Sequence, residues 1–440
     1  MSRARLSRRS FLQTSAAFAA APLLPRWSAT LETRPLETLS VACVGTGGMG
    51  GADLAAVARC PNVRIAALCD VDQARLAAAA AEHPDARTFA DWRALFDTLG
   101  RDLDAVVVST PDHMHGPIAI AALRRGLHVY CQKPLAHNLH ECRRMTELAA
   151  AGGLVTQMGT QIHAHPAYRT AVHMLRSGAI GLVREVHAWV AKSWAGPAGG
   201  RPDRSDPVPA GLDWDLWLGA APARPFVEGA YHPAQWRGWL DFGTGTLGDM
   251  GCHILDPVFT ALELGAPTTV LSRGPQHGHE TFAADGDVVW TFAPTARTAG
   301  ALRLHWTDGG AHPEAARAHL PPGVELPRAG SFTIGERGVM VLPHWAMPTF
   351  YRDGHQLELP IEEQPAGDHY REWTLACRGE GTPSTPFAYA GPLTEAVLVG
   401  VIAGRHKDRL LRWDSAAMRF GDERADALVR RTYRDGWAPE

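Results

Sequence analysis

The chain has 440 residues, of which 45% are hydrophobic and 20% are charged, and its formal net charge is −3. This length and composition are typical of a soluble globular protein with two domains of ordinary size. The small net charge and the lack of a basic stripe argue against a nucleic-acid-binding protein.

The N-terminal residues have the pattern of an export signal. An apolar, small-residue stretch over 11–24 precedes the first acid, Glu32. Four arginines come before this stretch: Arg3, Arg5, Arg8 and Arg9. The stretch is too short to cross a bilayer, and the run Ser7-Arg8-Arg9-Ser10-Phe11-Leu12 resembles a twin-arginine signal. We expect residues 1–35 to be a signal peptide and linker, the mature protein to be periplasmic, and no later segment to insert into a membrane. A basic disordered tail is the alternative.

Between residues 39 and 160, short apolar strands alternate with helices. The pattern predicts strands at 40–45, 64–70, 104–110, 128–132 and 154–159, and helices at 49–59, 72–83, 117–125 and 139–151. The valine-rich strand at 104–110 is of the continuous kind expected when both faces of a sheet are buried. The sequence therefore predicts an α/β protein whose residues 36–160 form a Rossmann domain with a doubly wound parallel sheet.

After residue 160 the predicted strands become longer and more two-sided. A helix at 166–177, a strand at 183–191 and a Gly/Pro-rich loop at 195–211 precede strands at 268–273, 286–292, 300–306, 331–335, 338–342 and 349–351, with helices at 369–378 and 393–404. We expect residues 161–440 to form an α+β domain with a large, mostly antiparallel open sheet. The seven cysteines are odd in number and form no C-x-x-C motif, so no disulfide framework is expected.

A nucleotide-binding motif follows the first predicted strand. Gly45-Thr46-Gly47-Gly48-Met49-Gly50 is a G-x-G-x-x-G sequence that opens a helix, and Asp70 ends the next strand 20 residues further on. Such glycines let a pyrophosphate approach a helix N-terminus, and a carboxylate at Asp70 favours NAD over NADP because it would repel a 2′-phosphate. A glycine turn followed by a strand-ending acid, with no ligand, is the alternative.

Two further strand ends are expected to line the ligand crevice. Ser109-Thr110-Pro111-Asp112-His113 ends one strand, and we expect the cofactor to contact a set of residues there: Thr110, Pro111, His113 and His115. His113 could equally be a residue that starts the helix.

Cys131-Gln132-Lys133-Pro134-Leu135 ends the following strand, and Gln132 and Lys133 are also expected near the cofactor. The chain has 40 arginines and only three lysines, so a lysine in the crevice suggests a task that requires loss of a proton, which arginine cannot perform. An ammonium beside a substrate hydroxyl can hold its oxygen during hydride transfer. A lysine whose charged end merely reaches solvent is the alternative.

A glycine-rich segment over 243–256 reads as a loop running into a helix and contains Asp249 and His253. The two residues are four apart and would share one helical face if the helix starts early enough. A histidine oriented by a carboxylate can accept a hydroxyl proton. An N-capping Asp with a core His is the alternative.

Together these motifs, in this order, resemble the glucose–fructose oxidoreductase, inositol dehydrogenase and MocA family (Gfo/Idh/MocA) over about residues 38–410. The resemblance implies a homo-oligomer formed through the open sheet and a catalytic trio of Lys133, Asp249 and His253. Because free NAD is scarce outside the cytoplasm, an exported member is expected to hold its NAD tightly. Gln132 departs from the family pattern, in which many members carry Glu at that position.

Other polar and aromatic residues are expected to meet the substrate: Gln161, His163, Trp236 and His369, together with Asp249 and His253, and less securely His165, Tyr231, Trp239 and Tyr370. Core packing is the alternative for the aromatic residues. No metal-binding motif supports a site formed by His163, His165 and His253, so no metal is expected.

The expected function is oxidation of a ring hydroxyl of a sugar or glycoside, with His253 taking the hydroxyl proton while Asp249 orients it. Two alternatives are an NAD-recycling glycoside hydrolase, which would act through transient C3 oxidation and elimination, and a non-catalytic nucleotide-bound sensor.

Overall fold

A six-stranded parallel sheet forms the first part of the chain in this computed structural model, which describes residues 37–310 and 313–439. The predicted signal at 1–35 lies outside the described residues. The strands lie in the order β3-β2-β1-β4-β5-β6, with these bounds: β1 (Leu39–Val44), β2 (Val63–Cys69), β3 (Arg87–Phe89), β4 (Ala105–Val108), β5 (His128–Gln132) and β6 (Thr156–Gly159). The order reverses between β1 and β4, which is where a doubly wound sheet binds its ligand.

Five helices cover this sheet: α1 (Met49–Ala58), α2 (Gln73–Glu82), α3 (Trp92–Leu99), α4 (Asp112–Arg124) and α5 (Leu139–Gly152). Local capping sets their starts. Asp72 accepts hydrogen bonds from the first amides of α2, and Asn138 caps α5 in the same way. Helix α4 begins five residues before the predicted start. The prediction placed Pro117 in the first turn, where proline is most favourable, whereas in the structure Pro117 lies inside the helix.

A nine-stranded sheet forms the second part, in the order β14-β13-β12-β11-β7-β10-β9-β8-β15. Among the described strand pairs of this second sheet, only β7–β10 is parallel. The predicted mostly antiparallel sheet is therefore confirmed. The bounds are β7 (Val183–Val190), β8 (Pro267–Ser272), β9 (Asp287–Phe292), β10 (Thr298–Asp308), β11 (Ala329–Gly335), β12 (Val339–Pro343), β13 (Thr349–Arg352), β14 (His355–Gln356) and β15 (Leu411–Arg412).

Helices cover one face of the second sheet and return to the first, except a short helix, Glu314–Arg317, whose Ala316 joins Trp189 and Phe332 in an apolar cluster on the other face. They are α6 (Pro166–Arg176), α7 (Trp214–Leu218), α8 (Gly245–Ile254), α9 (Asp256–Leu262), α10 (Glu314–Arg317), α11 (His369–Cys377), α12 (Phe387–Ala403) and α13 (Glu423–Asp426), with 3₁₀ turns at Gly100–Asp102, Gln161–Ala164 and Gln235–Gly238. Helix α12 packs on α5, α8 and β8, and α11 packs on α1. The main core therefore runs without a break from the parallel sheet to the covered face of the second sheet.

All seven cysteines are free, and six of them are buried. Among the described helices, none is both long enough and apolar enough to span a membrane.

Candidate active site

The carboxyl ends of the parallel strands open into a cleft of about 1310 Å³ whose far wall is supplied by α8, α11 and the end of β7. Many of the residues predicted from sequence line this cleft: Gly45, Gly47, Gly48, Met49, Asp70, Thr110, Pro111, His115, Gln132, Lys133, Gln161, Trp236, Asp249, His253 and His369, with His165 and Tyr370. The structure thus brings the nucleotide motif and the candidate catalytic residues together in one cleft.

The glycine loop has the shape of a pyrophosphate cradle. An added Cβ on Gly50 would lie 2.2 Å from the Gly45 carbonyl oxygen, and one on Gly45 would lie 2.5 Å from the Ser109 carbonyl oxygen. A Cβ on Gly48 would meet nothing within 4 Å, and Gly48 begins α1 at a φ of 57° with no side-chain cap. The loop therefore leaves open space at an uncapped helix N-terminus, which suits a phosphate group.

A carboxylate, Asp70, and a guanidinium, Arg75, lie beside the glycine loop. The Asp70 carboxylate accepts hydrogen bonds from the Thr46 amide at 2.8 Å, the Thr46 hydroxyl at 3.1 Å and the Asp72 amide at 2.9 Å. Arg75 lies against the glycine loop, since a Cβ on Gly47 would come within 2.3 Å of its guanidinium. Two opposite charges therefore flank the glycine loop.

Lys133 and Asp249 form an ion pair in the cleft. The Lys133 Nζ donates to the Asp249 carboxylate at 2.7 Å and to its backbone carbonyl at 2.8 Å. The Lys133–Pro134 peptide bond is cis. Lys133 follows β5 and Asp249 lies on α8, so this pair joins the nucleotide-binding wall to the opposite wall.

Three groups that the sequence analysis did not assign also bind the Asp249 carboxylate. The Lys192 Nζ lies 2.7 Å from one oxygen, the Trp194 Nε1 donates to that oxygen at 2.6 Å, and Arg237 lies 3.4 Å from the other. Burial alone would raise the pKa of Asp249, but the charges of Lys133, Arg237 and Lys192 hold that pKa well below its usual range.

His253 lies on the same helix as Asp249 and lines the cleft, but these two side chains share no hydrogen bond in the described structure. The expected orientation of His253 by Asp249 is therefore absent, because the carboxylate is already held by other donors. Burial, followed by the charges of Lys133 and His344, lowers the pKa of His253 well below 6.5. Its Nδ1 is buried without a partner among the described residues, which leaves Nε2 as the nitrogen available to the cleft.

The unusual Gln132 has a specific partner. Its amide nitrogen donates to both carboxylate oxygens of Asp53, a fully buried residue of α1, at 2.9 and 3.1 Å. Asp53 also accepts from Ser109 at 2.6 Å and from Tyr370 at 2.8 Å. In this chain the buried acid thus stands on α1 and an amide stands on β5. Burial raises the pKa of Asp53, and its hydrogen bonds oppose that rise.

Several predicted site residues lie away from the cleft. His113 is fully buried, bonds the Trp217 carbonyl at 3.0 Å and packs on Phe242. His163 pairs with Asp256 at 2.9 Å. These placements differ from the expected cofactor and substrate contacts, since each ring is held by a partner elsewhere in the core.

Thr46 and Gly50 do not line the cleft surface and instead shape the glycine loop from behind. Tyr231 and Trp239 belong to an apolar cluster, as the core-packing alternative predicted. His115 lines the cleft while its two ring nitrogens bond the carbonyls of Pro134 and Thr110, each at 2.8 Å.

Two family models match consecutive parts of the chain. Residues 39–160 match an oxidoreductase family with an NAD-binding Rossmann fold, and residues 183–295 match the C-terminal alpha/beta domain of an oxidoreductase family, both from Gfo/Idh/MocA. The chain belongs to this family. A twin-arginine translocation signal model matches residues 5–25 of this Gfo/Idh/MocA chain.

Curated relatives match part of this Gfo/Idh/MocA chain. Inositol 2-dehydrogenase 2 of Saccharopolyspora erythraea is 35% identical over 153 residues, which are 34% of this chain and 44% of that protein. A glycosyl hydrolase family 109 protein of Stenotrophomonas maltophilia is 26% identical over 220 residues, which are 48% of this chain and 47% of that protein. The chain thus spans about half the length of these curated relatives.

A solved levoglucosan dehydrogenase, in complex with NADH and levoglucosan, shares the fold of this Gfo/Idh/MocA chain. The TM-score is 0.58 at 19% identity, with 85% of this chain and 99% of that chain covered.

Proposed function

We propose that this protein is carried by the twin-arginine route to the periplasm and there oxidises a ring hydroxyl of a sugar or glycoside, using tightly bound NAD. The observation that carries the proposal is the arrangement of Lys133, Asp249 and His253 across one cleft from the glycine loop. The relative named inositol 2-dehydrogenase and the structural neighbour named levoglucosan dehydrogenase support a polyhydroxylated substrate.

The residues of the cleft suit alcohol oxidation. A nicotinamide bound at the glycine loop would supply the hydride acceptor. His253 is unprotonated at neutral pH because its pKa is lowered, so its Nε2 can accept the proton of a substrate hydroxyl. Lys133 brings a positive charge to the same region, where it would stabilise the oxygen as negative charge develops on it. Asp249 stays ionised and fixes the position of the Lys133 ammonium.

The preference for NAD over NADP rests on Asp70, whose carboxylate would repel a 2′-phosphate. Arg75 opposes this because its guanidinium lies beside the same loop. We expect NAD⁺ to bind more tightly than NADP⁺ and the ratio to grow in Arg75→Ala. Calorimetric titration of both nucleotides into the two proteins measures the ratio, and an unchanged ratio would show that Arg75 lies outside the nucleotide site.

Absorbance near 340 nm tests the main proposal. The mature protein, purified without added nucleotide, is mixed with panels of sugars and aryl glycosides, and released aglycone is followed in the same samples. A lasting rise without aglycone release is expected of a dehydrogenase. Neither signal, together with no nucleotide released on denaturation, would exclude the proposed tightly bound cofactor, whereas neither signal with nucleotide released would favour the nucleotide-bound sensor.

Lysine variants connect the signal to the site. Lys133→Met should abolish the absorbance change, whereas Lys407→Met, which removes an exposed lysine outside the cleft, should retain it. Equal activity of the two variants would exclude the assigned role of Lys133. Nucleotide binding by Lys133→Met serves as the check that the variant is folded.

A second candidate is the NAD-recycling glycoside hydrolase, which the relative named glycosyl hydrolase family 109 protein favours. Transient oxidation at C3 would acidify H2 and let the aglycone leave C1 by elimination. Water would then add across the resulting C1–C2 double bond, and the hydride would return to C3 in the last step. Aglycone release without a lasting change at 340 nm would move the assignment to this reaction. The oligomer is a separate expectation, and light scattering of the purified protein tests it.

A further inference from the structure

Three potential metal ligands meet on the open face of the nine-stranded sheet. Side chains alternate along a strand, so Glu185 and His187 of β7 share one face, while Val186 and Ala188 point into the main core together with residues of α8. His305 of β10 is in register with His187 across the parallel β7–β10 pair. The cluster therefore lies on the opposite face of the sheet from the candidate catalytic helix.

The distances within this cluster are those of a ligand set. The Nε2 of His187 lies 3.1 Å from one oxygen of Glu185, and the Nε2 of His305 lies 2.9 Å from the same oxygen. A first-row transition ion with bonds of about 2.1 Å holds neighbouring ligand atoms about 3.0–3.4 Å apart. The three ligand atoms all lie within 4.8 Å of one another.

Glu185 is the described group at ion-pair distance from both imidazole nitrogens. His187 is only 7% exposed and both Nε2 atoms are buried, but neither contact with Glu185 has well-aligned hydrogen-bond geometry. The rings stack with centroids 4.5 Å apart and planes 15° from parallel, so both edges face the carboxylate from the same side. Two buried imidazoles that share one carboxylate oxygen in poor hydrogen-bond geometry are incompletely satisfied, and a cation between the three groups would satisfy both nitrogens.

Charge around the cluster leaves one carboxylate oxygen for an ion. Arg303 lies 2.8 Å from the other oxygen of Glu185, which fixes that oxygen and points its neighbour at the two imidazoles. On the adjoining strand, Phe332 pairs with His187 and belongs to an apolar cluster that shields this side of the site from water.

We propose that Glu185, His187 and His305 bind one divalent first-row transition cation, for which Zn²⁺ is the fitting probe. Two imidazoles and one carboxylate match the ligand preference of zinc and leave at least one coordination position open. The ion would tie β7 to β10, the two central strands of the sheet. This site is independent of the proposed oxidoreductase function, because none of its residues lines the cleft.

Zinc titration of the untagged, chelator-stripped mature protein tests the proposal, with a chromophoric chelator as competitor. The wild type should bind one equivalent of Zn²⁺, and Glu185→Gln and His305→Gln should each weaken that binding at least tenfold. His355→Gln changes an exposed histidine at the edge of the same sheet and should bind as the wild type does. Failure of the wild type to bind one equivalent would overturn the proposal.

A thermal readout guards against a folding defect. In chelator the two cluster variants and the wild type should unfold at similar temperatures, because Glu185→Gln keeps the shape of the side chain. Added Zn²⁺ should raise the unfolding temperature of the wild type and of His355→Gln but not of the cluster variants. Zinc binding and an equal temperature rise in all four proteins would place the ion elsewhere and refute the assignment.

Discussion

The Asp53–Gln132 contact predicts that restoring the glutamate found in many family members would harm this particular chain. Gln132→Glu would set two carboxylates about 3 Å apart in a site where Asp53 is fully buried. Two unit charges at that distance repel by about 5 kcal/mol at an effective dielectric constant near 20. The pair would escape by taking up a proton, which costs about 4 kcal/mol at pH 7.5 for a carboxyl with an ordinary pKa near 4.3. We therefore expect a loss of about 4 kcal/mol in unfolding free energy.

The sign of the pH dependence follows from proton uptake. The folded variant would hold one more proton than the unfolded chain, so its stability falls as pH rises. The deficit should shrink by about 1.4 kcal/mol for each pH unit on going from pH 7.5 to 5.5. Urea unfolding at both pH values, followed by tryptophan fluorescence, measures it.

The double variant Asp53→Asn/Gln132→Glu is the matched control, because it exchanges the acid and the amide and restores one of each. Its stability should return to within about 1.5 kcal/mol of the wild type, which requires a coupling energy of at least about 2 kcal/mol between the two changes. Additive effects, or a deficit that does not change with pH, would refute the view that Asp53 is the ionised partner of Gln132.

Three further changes test the glycine loop, a buried histidine and the positive charges around Asp249. Gly50→Ala puts a Cβ 2.2 Å from a loop carbonyl, so NAD⁺ affinity measured by fluorescence quenching should fall about 100-fold, whereas Gly265→Ala meets nothing within 4 Å and should bind normally. Burial lowers the pKa of His137 to about 3, so the unfolding free energy should fall by about 1.4 kcal/mol for each pH unit below about 6.5. Urea unfolding at several pH values should show that His137→Gln flattens this dependence on pH. An unchanged dependence would contradict a neutral His137 in the folded protein. Lys192→Met removes a charge that lowers the pKa of Asp249, so the acid limb of kcat/KM should move to higher pH, and an unmoved limb would exclude this coupling.

The Rossmann elements could be predicted from sequence because their signals are local. Buried valine runs, the glycine motif and side-chain caps each act within a few residues, and most predicted ends of β1, α1, β5 and α5 lie within a residue or two of the observed ones. The three-residue strand β3 escaped prediction because it is short and largely exposed, so it carries little hydrophobic pattern.

Helix α8 shows why propensity misled the prediction at the site itself. The glycine-rich sequence reads as a loop because glycine disfavours helices by about 1 kcal/mol per residue. In the structure the helix begins at Gly245, where an added Cβ would lie 2.7 Å from Phe282, while one on Gly251 would lie 3.3 Å from Val397 of α12. Close packing requires small residues there, and that requirement is set by tertiary neighbours that the local sequence does not reveal.

The site's electrostatics depend on the same kind of long-range information. Asp53 reads from sequence as one more polar residue in an alanine-rich helix, yet its partners come from β4, β5 and α11. His253 was expected to bond the carboxylate four residues before it, but four donors reach that carboxylate from other segments. Sequence spacing could place the two side chains on one helix, but it could not show which groups the Asp249 carboxylate would bind.

Composition held one signal that the sequence analysis used only in part. Two of the three lysines, Lys133 and Lys192, bind opposite oxygens of one carboxylate, each at 2.7 Å. An ammonium is a compact charge with freely rotating donors, whereas a guanidinium is a rigid planar fork. Lys133 donates to a carboxylate oxygen and a backbone carbonyl of the same residue, which a planar fork would reach only with both acceptors in its plane. In a chain that otherwise uses arginine, the geometry around Asp249 explains lysine at position 133 without requiring the loss of a proton, and Lys192 supplies a second compact charge to the same carboxylate.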